Sequence, residues 1–217
     1  MSAKTIGIIQ VKGGAGRSTV STNLAGELSK IGKTVLIDCD MPQGTSASWF
    51  SVREQGGKAG DLTADTATNH RELVAKVEQY QEADFIVLDG PPRIAELTRA
   101  ILVLADLCLI PVGASAAEIW ATSDLLALVE EAKKVKQVNA RMIWTRYRPH
   151  TRLAQELSEL ATKELGLVAL DTALGMRVAY MEALGVGLTV AELSEPSAKA
   201  EAKSLTDEIQ KLLRETP

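Results

Sequence analysis

Between Gln10 and Thr22 the chain reads QVKGGAGRSTVST, with glycines at 13, 14 and 16 and the hydroxyl pair Ser18 and Thr19. The glycines stand between a β-branched run and a helical pattern. In such a turn backbone amides point inward at an anion, and the helix N-terminus adds its partial positive charge. The chemistry is phosphate binding. Two cations flank the turn, Lys12 before it and Arg17 within it. Carboxylates follow in two further places: Asp38 and Asp40 close the apolar run of VLIDCDMPQG, and Asp89 closes that of DFIVLDGPP. A carboxylate at a strand tip can hold Mg2+, usually through water, because this small ion dehydrates reluctantly. Together these groups imply phosphoryl transfer to water, in which the protein positions reactants and neutralises charge.

Strands and helices must bring these groups together. Residues 5–11 form a short strand feeding the glycine turn, and Val20, Leu24, Leu28 and Ile31 recur at helical spacing until Gly32. KTVLIDCD, DFIVLDG and LCLIPVG read as buried strands, and ARMIWTR adds another. Their continuous apolar runs suit a parallel sheet covered on both faces. Helical patterns run over 71–81, 94–105, 118–136 and 151–165, and a closing helix sets Ala198, Ala202, Leu205, Ile209 and Leu212 on one stripe. The expected fold is therefore α/β and doubly wound, a mainly parallel sheet with helices on both faces, in one domain spanning residues 1–217. Residues 51–69, polar and rich in Gly and Thr, are expected to form a long loop.

Composition narrows the function classes. No apolar run approaches the roughly 18 to 20 residues of a membrane span, and the N-terminus has no signal-peptide pattern, so a cytoplasmic protein is expected. Cys39 and Cys108 lie in apolar strands without metal-ligand spacing and are read as reduced core residues. His70 and His150 sit in polar, helix-flanking contexts, which argues against imidazole catalysis and for exposed histidines. The closing helix mixes Lys, Glu and Asp on its polar face, unlike the basic face of a membrane-surface helix. Net charge is −4, yet residues 133–152 carry seven Lys or Arg and no acid. Arg146, Arg148 and Arg152 crowd one strand-to-helix turn there, a pattern that suits contact with a phosphate backbone.

KGGAGRST resembles the deviant Walker A loop of the ParA/MinD family of partitioning and positioning ATPases, K-G-G-x-G-K-[ST]. The resemblance implies a P-loop NTPase fold, with Gly13, Gly14, Ala15, Gly16, Arg17, Ser18 and Thr19 around ATP. Ser18 would ligate Mg2+, Thr19 would approach the α-phosphate, and Lys12 would reach across a homodimer to the partner's nucleotide. Arg17 stands where the family has its P-loop lysine, and the exchange is not conservative because a guanidinium is planar and bidentate. DCDMPQG is similar to the family's D-x-D-P-Q-G, which makes Asp40 the group that orients the attacking water and Asp38 a support of the metal shell; Met41 is an insertion. Asp89 matches the Walker B carboxylate. LCLIPVGASAAEIWATSDLL, LGMRVAYMEALGVGLTVAE and SAKAEAKSLTDEI look like blocks of small plasmid-type ParA proteins without an N-terminal helix-turn-helix. Trp120 is then a helix-packing or dimer-facing residue.

The family's usual output is ATP-dependent dimerisation, non-specific DNA binding that makes the protein nucleoid-associated, and slow hydrolysis stimulated by a ParB-like cargo adaptor. Here the DNA contacts would be Arg146, Arg148 and Arg152, with Arg177, Lys199 and Lys203 as lesser contributors. Three alternatives stay open: a hydrolysis-impaired scaffold locked by Arg17, a MinD-like membrane positioner, and a metabolic P-loop kinase or synthetase.

Overall fold

A computed structural model of the chain describes residues 2–93, 96–149 and 151–215. Six strands alternate with helices: β1 (Lys4–Ile8), α1 (Arg17–Leu28), β2 (Thr34–Asp38), α2 (Thr45–Gln55), β3 (Leu62–Thr66), α3 (His70–Gln79), β4 (Phe85–Asp89), α4 (Glu96–Leu104), β5 (Leu107–Gly113), α5 (Ala116–Lys133) and β6 (Ala140–Thr145). Then come α6 (Arg152–Leu165), α7 (Val178–Gly185), a 3-10 turn at Val190–Glu192 and α8 (Pro196–Glu215). The strands form one parallel sheet in the order β3-β2-β4-β1-β5-β6. From β1 the chain moves one way to β2 and β3, then returns through β4 and crosses β1 to β5. That reversal puts the β1–α1 loop at the switch point of the sheet, where α/β folds bind ligands.

Alternation along each strand divides the core in two. Val35, Ile37, Ile86, Leu88, Cys108 and Ile110 face one layer, with Leu73 of α3, Ile101 of α4, Leu125 of α5 and Leu157 of α6. Leu36, Val87, Leu107, Leu109 and Ile143 face the other, with Leu24 of α1, Trp49 of α2, Ala183 of α7 and Leu205 of α8. Apolar groups are needed on both sides, which is why the strands read as unbroken apolar runs. Gly7 lets α4 lie close on β1, since a Cβ there would stand 2.4 Å from the Ile101 methyl.

Several expectations change. The proposed loop over 51–69 contains the end of α2 and all of β3. β3 is an edge strand with one fully buried side chain, Leu62, and α2 buries Ser46, Trp49 and Arg53, a stripe too polar to register as apolar periodicity. Helix α1 ends at Leu28, leaving Ile31 56% exposed, and Leu213 rather than Leu212 is buried at the end of α8. Trp120 is 61% exposed and lies outside both core layers. Cys39 and Cys108 are buried free thiols, as expected. Half-buried His70 has a carboxylate beside it, with Nδ1 at 2.8 Å from Glu96 Oε2. His150 and the first two residues of the helix expected over 94–105 lie outside the described residues.

Candidate active site

The loop leaving β1 is shaped by bonds to its carbonyls. Thr145 Oγ1 donates to Ala15 O at 2.8 Å, Arg146 Nη1 to Gly14 O at 2.7 Å, and Arg17 Nη1 to Gln10 O and Lys12 O, both at 2.8 Å. Gln10 is anchored below, its Nε2 donating to Pro111 O at 3.0 Å and Thr122 Oγ1 at 2.9 Å. Gly16, at φ 100°, turns the chain into α1, a conformation open to glycine. Helix α1 has no side-chain cap and no acid in its first turn, so its leading amides are left for an anion. Beside this cradle lies a cavity of about 290 Å³ lined by Gly16, Thr19, Thr145, Leu174, Met176 and Met181, an apolar slot next to a phosphate site. Its far wall comes from residues after 170, which sequence reasoning did not assign to the site. A larger cavity, about 860 Å³, lies between 168–173 and α8. Glu208 there already accepts from the Asp171 and Thr172 amides, and none of the phosphate-loop groups reaches it.

Parallel register sets the carboxylates. Asp89 pairs with Ile8 on one side and Asp38 on the other, so both acids stand at the strand tips next to the loop. Both are fully buried. Asp89 accepts from Ser46 Oγ at 2.6 Å through Oδ2, while its buried Oδ1 has no hydrogen-bond donor among the described residues. Burial, and secondly the charge of Asp38, push the Asp89 carboxyl up to about 6, against the opposing influence of Ser46, Ser18 and Arg17. An ionised oxygen without a donor, beside the Ser18 hydroxyl, is of the kind that takes a hydrated divalent cation, and Mg2+ needs few protein ligands. Asp38 does different work. Its Oδ1 accepts from Asp40 N and its Oδ2 from Ala47 N, both at 2.9 Å, so it closes the 40–47 loop onto β2. Of the residues expected around a metal, Ser18 and Asp89 stand together beside the loop, Asp89 held by Ser46, which sequence reasoning missed, while each Asp38 oxygen already accepts from a backbone amide.

The cations also depart from expectation. Arg17 is 6% exposed and bonded to the loop carbonyls, to Gly90 O at 2.8 Å and to Asp40 Oδ2 at 3.3 Å. Lys12 Nζ lies 3.6 Å from Glu118 Oε1, with its side chain 39% exposed. Glu118 is a hub. It accepts from Gly113 N at 2.9 Å and forms a short ion pair with Arg146. Arg146, at φ 52° and exposed like Arg148 and Arg152, is tied to the loop by its bonds to Gly14 and Glu118. Arg148 and Arg152 stay exposed, Arg152 at 93% and paired with Glu156 at 2.8 Å.

Known proteins resemble this chain in sequence and fold. The family described as ATPase MipZ matches residues 4–148. The maintenance of carboxysome distribution protein A of Halothiobacillus neapolitanus is 29% identical over 98% of this chain and 96% of its own. The chromosome-partitioning ATPase Soj of Thermus thermophilus is 28% identical over 98% and 97% respectively. Among solved structures, an ATP complex of the D38A variant of McdA from Cyanothece superposes with TM-score 0.79 at 17% identity over 96% of this chain and 97% of that one, and a chain of the MinC:MinD cell division protein complex of Aquifex aeolicus with TM-score 0.76 at 18% over 96% of each. With a glycine loop at the switch point, an orphaned carboxylate oxygen beside it and a family match over two thirds of its length, the chain belongs to the MipZ family of ATPases and is a ParA/MinD-type partition ATPase.

Proposed function

We propose that this ATPase is a nucleotide-driven switch: two copies clasp ATP and Mg2+ between them, the dimer binds DNA without sequence preference, and a cargo adaptor triggers hydrolysis and release. Positioning of a large cellular body follows, of the kind that the relatives' names describe, a chromosome or a carboxysome. The observation that carries the reading is the state of Lys12. Its ammonium stands at the loop rim, 39% exposed, facing a Glu118 carboxylate at 3.6 Å that already serves Arg146 and Gly113. So long a contact is easily exchanged for a triphosphate, which carries more negative charge. Asp89 Oδ1 and Ser18 supply the metal position, and Asp40 at the loop mouth orients the attacking water.

Light scattering tests the switch. Native protein is expected to double in mass in Mg-ATP but not in Mg-ADP, and Lys12→Ala to stay monomeric in both. A native protein that remains monomeric at saturating Mg-ATP refutes the reading. The DNA contacts fall to Arg148 and Arg152, because Arg146 serves the loop. Retention on DNA in ATP should decline with salt at a log-log slope of about 0.9 per phosphate contact, and an Arg148→Ala/Arg152→Ala variant should lose it. Unchanged retention removes that surface from the account.

A further inference from the structure

Arg17 is a buried cation whose partners come from three separate segments. Nε donates to Gly90 O just beyond β4, Nη1 to Gln10 O and Lys12 O at the start of the glycine loop, and Nη2 to Asp40 Oδ2 in the loop after β2. Four of the five guanidinium N–H groups are engaged in this way. A lysine at this place has all its donors on one nitrogen, and it could not span acceptors that surround a planar fork. Asp40 is fixed at its backbone by the bond from its N–H to Asp38 Oδ1, so the Arg17 contact settles the direction of its carboxylate.

We propose that Arg17 is a positioning residue that aims Asp40 for hydrolysis, and not the cation that meets the phosphates. The inference rests on the reading of Asp40 as the group that orients water. Releasing the tie lowers the rate by more than it weakens nucleotide binding, since a shift of about 1 Å in a reacting group costs up to about 100-fold.

The test compares ATP hydrolysis by native protein, R17K, D40N and R17K/D40N, together with Mg-ATP affinity from a fluorescent ATP analogue. R17K is expected to lower kcat at least about tenfold and to weaken Mg-ATP affinity by a smaller factor, D40N to lower kcat, and the double variant to fall no further than D40N. Non-additivity of this kind marks residues that act as one unit. R17K turning over as fast as native protein, or losing at least as large a factor in ATP affinity as in kcat, overturns the proposal while D40N remains slow; so does a double variant in which the two losses multiply. D40N hydrolysing at the native rate overturns the reading of Asp40 and the proposal with it. If R17K does not fold, amide exchange in D40N decides: loss of protection over 10–17 and 40–47 supports the tie, and unchanged protection overturns it.

Discussion

Glu192→Gln is a sensitive probe of how the site is braced. Helix α2, which carries Ser46 and follows Asp40, is latched to the 187–192 segment through Arg53. The guanidinium, 5% exposed, donates to Glu192 Oε2 at 2.7 Å, Glu192 Oε1 at 3.3 Å and Gly187 O at 3.1 Å, and lies 5.4 Å from the Trp49 ring centroid. Burial pushes the Glu192 carboxyl up, but the bonds from Arg53 and the Thr189 amide outweigh it, and the group titrates below its usual range. Glutamine keeps the shape and removes the charge that balances a buried cation. Breaking a fully buried pair costs about 3–5 kcal/mol. Glu192 is 20% exposed, so solvent takes up part of the lost charge and about 2 kcal/mol is the fitting figure. For a chain of this size that lowers Tm by about 4–8 °C. Because the native Glu192 is held in its ionised form, its contribution is complete above about pH 4.5 and fades as pH falls below it. Urea unfolding and thermal melts at pH 7.5 and pH 4 give the measurement. A loss below about 0.5 kcal/mol at pH 7.5, or one of equal size at both pH values, refutes the buried-latch argument.

Asp89 gives the opposite pH sign. Its folded value of about 6 lies above its ordinary 3.8, so the nucleotide-free fold binds the proton more tightly than the unfolded chain and gains stability as pH falls from 7.5 to 5. The gain is about 1 kcal/mol, or about 2–4 °C. The native-minus-D89N difference in Tm reads it, and a flat difference across that range refutes it. Gly187→Ala should destabilise by at least about 2 kcal/mol, because φ is 69° and a Cβ would stand 2.5 Å from the Arg53 backbone nitrogen; a melt within 2 °C of native argues otherwise. Ser46→Ala removes the donor to Asp89 Oδ2, and ATP turnover at low Mg2+ is expected to fall more than turnover at saturating Mg2+; equal loss at both would deny Ser46 a part in holding the carboxylate.

The helices α3, α5 and α6 were legible because each has a local start signal and an apolar stripe: Asn69, Ser115 and Thr151 cap them by accepting from backbone amides. Strand β3 and helix α2 were not, because an edge strand needs few apolar groups and α2 hides an arginine in its buried stripe. The α1 boundary was overrun for a related cause, since Ile31 continues the periodicity past Leu28, where the helix ends.

By itself the sequence determined the alternation of strand and helix, the two-sided sheet, and the phosphate loop with acids at strand tips, because short-range spacing and glycine chemistry are written locally. Only the tertiary structure decided what each charged group does. Arg17, Asp38 and Arg146 all carry the charge expected at a nucleotide site, yet each is bonded to partners 2 to 132 residues away that hold the loops in place. A buried charge takes whichever acceptor or donor the fold brings within reach, and that choice depends on the register of distant strands.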